Sequence, residues 1–235
     1  MEMLDAATRM DRQYRYQRYV YDFSRRYYLL GRDQLLNRIQ LAAGETVLEI
    51  GCGTARNLTK LAYRNPSAQF HGVDASAMML AVAARKLHGT LYEKKIRLRQ
   101  GLAERVSPAD FGLEEPFDHI VFSYVLSMIP GWQAALDHAL TLLKPGGKLH
   151  VVDFSDQQAM PPWFRHSLLT WLRWFNVHPE PAILTRLEQL ATQHGDHLDM
   201  HHLPGRYALL AHYRKRETAH DHEPKLPHLS QYLDF

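Results

Sequence analysis

The chain has 235 residues, 46% of them hydrophobic and 23% charged, with a formal net charge of +3. This composition is typical of a globular protein and excludes a disordered, collagenous or disulfide-stapled chain. With one cysteine, Cys52, neither an internal disulfide nor a multi-cysteine metal centre can form, so we expect no metal and a reducing, cytoplasmic location.

The first 42 residues predict a helical leader, in which arginines and tyrosines are interleaved over residues 9–40. The basic residues of the chain are otherwise dispersed, and no zinc-finger, heptad or RNA-binding signature is present. The chain begins with acidic residues that no apolar segment follows, unlike a secretory signal. The longest uncharged stretch, residues 120–136, contains Pro130-Gly131 and is shorter than the roughly 20 apolar residues of a membrane span. We therefore expect no nucleic-acid partner, no secretory signal and no membrane-spanning segment.

From Thr46 onward, short apolar segments alternate with helical ones, which predicts a parallel sheet covered on both faces. Ser76 is the expected N-cap of a helix that runs to Leu87, and Lys144-Pro145-Gly146-Gly147 is the expected stop between a helix and the next strand. The predicted strands are residues 46–50, 70–74, 96–99, 117–124 and 149–154.

After Phe154 the alternation changes, and one α/β domain is predicted over residues 43–216. An aromatic helical insert is expected at about residues 160–178, followed by an amphipathic helix over 182–192 that Gly195 can end. Two last strands, 197–202 and 206–213, flank Leu203-Pro204-Gly205-Arg206, which suits a type II turn. The sheet should thus end in an antiparallel hairpin, before a loosely ordered tail over 217–235.

A glycine turn follows the first predicted strand, in the sequence Glu49-Ile50-Gly51-Cys52-Gly53-Thr54-Ala55. Glycines there permit positive φ and let the backbone approach a nucleotide-type ligand closely. A dinucleotide fingerprint would place its third glycine at position 56, which is Arg56. This departure disfavours a nicotinamide site, and no Tyr-x-x-x-Lys dyad supports an oxidoreductase. Cys52 is expected to be a packing residue and not a nucleophile.

The turn resembles motif I of class I S-adenosylmethionine-dependent methyltransferases, with Ala55 in place of the third glycine. Asp74, at the end of the second strand, stands where the family binds the ribose hydroxyls. Gly101-Leu102-Ala103-Glu104 resembles the family's adenine-binding stretch, with Leu102 in place of an aspartate. The resemblance implies a Rossmann-like three-layer α/β sandwich with a seven-stranded, mostly parallel sheet. It also implies S-adenosylmethionine as cofactor, bound by Glu49, Gly51, Cys52, Gly53, Asp74, Ala75, Met79, Leu102, Ala103 and Ser123.

Further segments resemble the betaine-lipid methyltransferases of the BtaB family, which trimethylate the amine of diacylglyceryl-homoserine. They lie in the leader (residues 14–18, 21–22 and 27–33) and in residues 123–132, 152–157, 171–172 and 175–179. The resemblance implies an N-methyltransferase of betaine-lipid synthesis. It also implies a functional partner, the aminocarboxypropyl transferase that makes the homoserine lipid.

The acceptor site is a hypothesis based on residue chemistry. Tyrosines can enclose the quaternary ammonium product by cation–π attraction, and an arginine can bind the homoserine carboxylate in a bidentate contact. The proposed chamber tyrosines are Tyr21, Tyr28 and Tyr124, and the proposed carboxylate ligands are Arg32, Arg25 or Arg26. The alternative is that these side chains only pack the leader onto the sheet. His150 and His178 are alternative proton acceptors, although lone histidines are more often packing or surface residues.

The aromatic insert has one apolar helical face, with Trp163 near one end and Arg165 and Arg173 opposite. Such a helix can lie in a bilayer interface, where Trp163 and Trp171 would contact the lipid substrate. This predicts a peripheral membrane protein; a lid or a dimer contact explains the stretch equally well. Rival functions are a methyltransferase for another amine, a phospholipid head group or a quinone precursor, and a non-catalytic cofactor-binding protein at a lipid surface.

Overall fold

A computed structural model of the chain describes residues 29–174 and 177–217. Seven strands are present in this part: β1 (Thr46–Ile50), β2 (Gln69–Asp74), β3 (Ile96–Gln100), β4 (Phe117–Ser123), β5 (Leu143–Phe154), β6 (His197–His202) and β7 (Ala208–Arg214). Six α-helices accompany them: α1 (Arg32–Arg38), α2 (Arg56–Arg64), α3 (Ala77–Leu87), α4 (Trp132–Thr141), α5 (Pro162–Trp174) and α6 (Ala182–His194).

The strands form one sheet in the order β3-β2-β1-β4-β5-β7-β6. The first five strands run parallel, and β7 pairs antiparallel with both β5 and β6. This confirms the predicted fold class, a three-layer α/β sandwich whose sheet ends in an antiparallel hairpin. The central strand β1 is buried along its whole length, because helices cover the sheet on both faces.

Two apolar clusters cover the two faces of the sheet. One contains Leu36 of α1, Leu58 of α2, Met79 of α3 and Leu172 of α5. The other contains side chains of α4 and α6, among them Leu136 and Leu187. The leader helix α1 and the aromatic helix α5 therefore lie on the same side of the sheet.

Local signals place several element ends correctly. The Ser76 hydroxyl accepts a hydrogen bond from the N–H of Met79, as an N-cap does, and α3 ends at Leu87. Gly195, with φ 68°, ends α6. The 203–206 turn has Gly205 at φ 70° and ψ 8°, and the N–H of Arg206 donates to the carbonyl of Leu203 at 2.9 Å, so the type II turn is confirmed.

The prediction that Lys144-Pro145-Gly146-Gly147 separates a helix from the next strand is wrong. These residues lie within β5 as an irregular insertion, because the pairing jumps from Phe117↔Leu143 to His119↔Lys148. Gly146 adopts φ 73°, which lets the strand leave the ladder and rejoin it. The Lys144 ammonium group donates a hydrogen bond to the Asp118 carboxylate at 2.9 Å.

Of the predicted leader, residues 1–28 lie outside the described residues, and α1 is the helix seen in the rest. The boundaries of leader, domain and tail remain predictions. The insert is present as α5, within the predicted residues 160–178. No helix in the described part of the chain is long and apolar enough to span a bilayer.

Histidines that are buried or partly buried in the sheet are a feature that the sequence pattern does not reveal. His119, His150 and His212 form a row across β4, β5 and β7, with nitrogen–nitrogen distances of 2.9 and 2.8 Å, and Glu45 lies 3.2 Å from His119. Burial lowers the pKa of all three. This corrects the assignment of His150 as a proton acceptor, because its ring is enclosed in the sheet. His71 lies between Phe111 and Phe117, and burial lowers its pKa to about 4.

We predict that the free energy of unfolding falls as the pH is lowered from 6.5 toward 4, because the unfolded chain takes up protons that the buried histidines do not. His71 alone, with a pKa of about 4 against 6.5 unfolded, accounts for a change on the order of 3 kcal/mol. Urea unfolding of wild type and His71→Phe between pH 8 and 5 measures this effect. The variant should have a shallower slope, by up to about 1.4 kcal/mol per pH unit. Parallel curves for the two proteins would contradict the assignment.

Candidate functional site

The glycine turn is fixed to the end of the neighbouring strand β2. The N–H groups of Gly51 and Cys52 donate to the carbonyl of Val73 at 2.8 and 3.0 Å. The N–H of Gly53 donates to the Asp74 carboxylate at 2.7 Å. Gly51 has φ 72° and Gly53 has φ 53°, conformations that favour glycine. The turn after β1 and the acidic residue after β2 thus form one unit.

Asp74 is buried, and its second carboxylate oxygen accepts the N–H of Ser76 at 2.9 Å. These bonds hold the side chain at the edge of the cavity that it lines. Glu49, at the end of β1, is also buried and accepts a hydrogen bond from the Asn57 side chain at 2.7 Å. Both acidic residues therefore lie in fixed positions on either side of the turn.

Two adjoining cavities meet at Gly51 and Gly53, which line both. The first has a volume of about 310 Å³ and a mainly apolar lining; we call it the apolar lobe. The second has a volume of about 560 Å³ and a mainly polar lining; we call it the polar lobe. The turn therefore separates an apolar space from a polar one.

The apolar lobe brings together the residues that were predicted from separate strand ends. It is lined by Asp74, Ala75 and Met79 after β2, by Leu102 and Ala103 after β3, and by Tyr124, Val125 and residues 128–131 after β4. Leu102 contributes an apolar side chain to this lining. We call residues 125–131 the β4 loop.

Val125 of the β4 loop packs directly against Gly51. A Cβ atom added to Gly51 would lie 2.3 Å from the Val125 Cγ2 atom, which is closer than real Cβ contacts come. Gly51 is thus required both by its φ and by the approach of the β4 loop. The sequence analysis did not identify Val125, because its partner lies 74 residues earlier in the chain.

The polar lobe is lined by four basic residues and two acidic ones, together with Cys52, Ser123 and others. The basic residues are Arg32, Arg56, Lys60 and Lys86, and the acidic ones are Asp33 and Glu49. Arg56 and Lys60 of α2 contact Asp33 of α1 at 3.0 and 2.9 Å. Burial opposes ionisation of Asp33, but hydrogen bonds from Lys60 and Arg56 lower its pKa. This cluster, which the sequence analysis missed, joins the leader to the glycine turn and its helix.

Cys52 lines the polar lobe but is buried, and burial raises the pKa of its thiol well above the ordinary value, with Asp74 and Glu49 adding to the effect. A thiol held in its protonated form is a poor nucleophile. The packing role predicted for Cys52 agrees with this environment.

Ala55, in place of the third glycine of the motif, is buried at φ 58° and ψ 24°, a conformation that glycine adopts more readily.

Tyr124 lies at the end of β4 and lines the apolar lobe, as predicted, but its hydroxyl is engaged. The hydroxyl donates to the backbone carbonyl of Leu30 in the leader, and the ring contacts Phe154 edge-to-face at 4.7 Å. Tyr124 has φ 56°, unusual for a bulky residue. These contacts indicate a side chain that positions the leader and the β4 loop, and its catalytic role stays a prediction.

Only some of the remaining predicted acceptor residues lie in the described part of the chain. Arg32 lines the polar lobe, whereas Tyr21, Tyr28, Arg25 and Arg26 lie outside the described residues. Trp163 is 72% exposed on α5, and Trp171 is partly buried against the core. Neither tryptophan lines the two lobes. The backbone N–H of His178 donates to the carbonyl of Ser127, which places this residue next to the β4 loop.

Residues 48–149 match a family model described as a methyltransferase domain. A demethylmenaquinone methyltransferase of Lactobacillus johnsonii is 29% identical over 154 residues, 65% of this chain and 59% of that protein. A trans-aconitate 2-methyltransferase of Methylobacterium nodulans is 33% identical over 117 residues, 50% of this chain and 41% of that protein. The chain thus spans about half the length of these relatives.

Solved structures share the fold. A phosphoethanolamine N-methyltransferase 2 of Haemonchus contortus, in complex with S-adenosyl-L-methionine, has a TM-score of 0.65 at 16% identity and covers 79% of this chain and 52% of that one. The plantazolicin methyltransferase BpumL, in complex with a triazolic desmethylPZN analog and SAH, has a TM-score of 0.64 at 12% identity and covers 86% of this chain and 91% of that one. At these identities the likeness shows the fold.

The two lobes fit S-adenosylmethionine in chemistry. An adenine ring suits the apolar lobe, ribose hydroxyls suit the Asp74 carboxylate, and a zwitterionic methionine suits the charged polar lobe. The glycine turn between them, closed by Val125, is a cradle that a Cβ atom would fill.

We predict that Gly51→Ala lowers the affinity for adenosylhomocysteine at least about tenfold, because the new methyl group must displace Val125 into the apolar lobe. Gly89→Ala is the matched control: Gly89 has the same φ of 72° but open space around its Cβ position. It should cost about 1 kcal/mol of stability and leave the affinity unchanged. Calorimetric titration of both variants measures the difference, and equal affinities would refute the steric role of Gly51.

Proposed function

We propose that this chain, which contains a class I S-adenosylmethionine-dependent methyltransferase domain, transfers methyl groups to the amine of a membrane lipid, with diacylglyceryl-homoserine as the acceptor. The product would be the trimethylated betaine lipid. One observation carries the choice of a lipid: α5 is an exposed, aromatic and cationic helix, and the chain just after it is bonded to the β4 loop.

The α5 helix presents large apolar side chains to solvent. Trp163 is 72% exposed, Trp174 75% and Phe164 40%, and Leu172 is the side chain of α5 that is fully buried. The helix also carries Arg165 and Arg173 and contains no acidic residue. An exposed face of this kind suits the interface of an anionic bilayer, where indole rings lie at the head-group level. Peripheral association with a membrane is therefore part of the proposal.

The inner side of α5 packs in the apolar cluster on the leader side of the sheet, to which Tyr124 and Met128 of the apolar lobe also belong. Just after α5, the N–H of His178 donates to the carbonyl of Ser127 in the β4 loop. A lipid head group that leaves the bilayer at this end of α5 would therefore be close to the end of β4. The acyl chains could stay in the membrane while the head group enters the site.

Bound in the two lobes, S-adenosylmethionine supplies a sulfonium methyl group. The chain's own contribution is alignment and exclusion of water: Gly51, Val125 and Met128 form a close-fitting wall, and Tyr124 holds the leader over it. The acceptor amine reacts only in its unprotonated form. With a reference pKa of about 8 it needs no dedicated strong base at neutral pH.

The charges of the polar lobe support an acceptor that carries an anionic group. Its lining has four basic and two acidic side chains, and Arg32 is the predicted ligand of the homoserine carboxylate on the described part of the leader. Of the leader segments that resemble betaine-lipid methyltransferases, the structure describes residues 29–33, and Leu29, Arg32 and Asp33 line this lobe. The lipid substrate would come from an aminocarboxypropyl transferase, which we propose as the functional partner.

A quinone precursor is the second candidate acceptor. It is favoured by relatives named demethylmenaquinone methyltransferase and, in Geobacter sulfurreducens, ubiquinone/menaquinone biosynthesis C-methyltransferase, which is 28% identical over 141 residues. This reaction would form a carbon–methyl bond, so the product distinguishes the two candidates. Incubation with methyl-labelled cofactor, with each lipid separately, followed by mass analysis decides between them. Up to three additions of one methyl group to diacylglyceryl-homoserine support the proposal, and labelling of the quinone precursor alone overturns it.

We predict that Trp163→Ala with Trp174→Ala lowers the affinity for anionic vesicles by roughly tenfold per tryptophan, because each indole contributes buried apolar area at the interface. Tyr63→Ala is the matched control, since Tyr63 is an aromatic residue 77% exposed on α2. It should leave vesicle binding unchanged. Flotation with phosphatidylglycerol vesicles measures binding without requiring turnover. Equal flotation of the double variant and wild type would rule out α5 as the membrane contact.

A further inference from the structure

Asp153 is a fully buried carboxylate near the end of β5, on the opposite face of the sheet from the leader. Its neighbours Val152 and Phe154 belong to the apolar cluster on the leader side, and side chains alternate along a strand. Asp153 therefore points into the layer of α4 and α6. It does not line the apolar or the polar lobe.

Backbone N–H groups, among them those of Ser127 and Phe154, donate to this carboxylate. The N–H of Ser127 lies 3.1 Å from one oxygen, and the N–H of Phe154 lies 2.8 Å from the other. Burial raises the pKa of Asp153, and these bonds oppose that effect. A small neighbouring cavity is lined by Asp153 together with Glu180, Asp156 and Arg206. Arg206 is bound by both oxygens of Asp156, at 2.7 and 2.6 Å, so that cation is engaged elsewhere.

Burying an ionisable carboxyl group costs stability unless its hydrogen bonds compensate. Here part of the compensation comes from Ser127, in the middle of the β4 loop. The carbonyl of Ser127 accepts the N–H of His178 at 3.0 Å. The N–H and the carbonyl of Ser127 are thus both hydrogen-bonded to residues outside the loop. Val125 and Met128, two and one residues away, form the wall of the apolar lobe.

We propose that Asp153 is a positioning residue for cofactor binding. It fixes the β4 loop through the N–H of Ser127, so that Val125 and Met128 stand at the distance that admits the adenosyl group. Asp153 acts through the loop and touches neither cofactor nor acceptor. The inference rests on the cofactor of the proposed function and requires no particular acceptor.

Asp153→Asn tests this role with little change of volume. An amide has one acceptor oxygen, so one of the two backbone N–H groups loses its partner. We expect adenosylhomocysteine to bind at least about tenfold more weakly, with faster amide hydrogen exchange confined to residues 125–131. Asp156→Asn is the matched control, because it removes a carboxylate three residues along that binds Arg206 and not the β4 loop. It should change the affinity less than about twofold.

Unchanged affinity in Asp153→Asn, or equal losses in both variants, would overturn the proposal. A pH titration of the wild type serves where the variant does not fold. The protonated carboxyl group is a weaker acceptor, so the affinity for adenosylhomocysteine must fall as the pH drops through the pKa of Asp153. Carbon NMR of the Asp153 carboxyl group measures that pKa. By linkage, bound adenosylhomocysteine must lower it. Glu180, Asp156 and His178 are the other titratable groups around it, and their resonances serve as internal references.

An affinity that stays constant across the Asp153 titration would refute the positioning role. Failure of the wild type to bind adenosylhomocysteine at any pH would instead refute the cofactor assignment on which the proposed function depends. The two failures are therefore distinguishable.

Discussion

The hydrogen bond between the Gly53 N–H and the Asp74 carboxylate is the interaction on which the site depends. It joins the turn after β1 to the end of β2, and the parallel pairing of these strands places both ends at one edge of the sheet. The two lobes exist because the turn is held at this edge, with apolar side chains on one side and charged ones on the other. The β4 loop then closes on the turn through Val125.

Most of the fold could be predicted because its signals are local. The strand at Thr46–Ile50, the Ser76 cap and the turn at residues 203–206 each depend on a few adjacent residues, and each has the predicted structure. The cofactor residues were predicted as a set, because motifs at successive strand ends must meet in a parallel sheet. Their arrangement around the lobes follows from that topology.

The rest depends on contacts between distant segments, which residue patterns do not encode. The Tyr124 hydroxyl reaches Leu30, 94 residues earlier, and Asp33 lies between two cations of α2. The Lys144–Gly147 segment has the composition of a helix stop, yet the ladder between β4 and β5 continues on both sides of it. The histidine row could not be predicted either, since it requires the register of three strands. In each case the sequence shows the residue type but not its partner.

Ala55 stands where the motif has a glycine, yet this difference changes the stability of the fold very little. Its left-handed backbone carries a penalty of roughly 1 kcal/mol for a residue with a Cβ atom. A glycine there would relieve that penalty, but the unfolded chain would gain freedom worth about 0.5–1 kcal/mol. The two terms nearly cancel, so drift between alanine and glycine at this place would be almost invisible to selection for stability. An exchange of alanine for glycine would then alter only the packing, because it removes the buried methyl group from its neighbours.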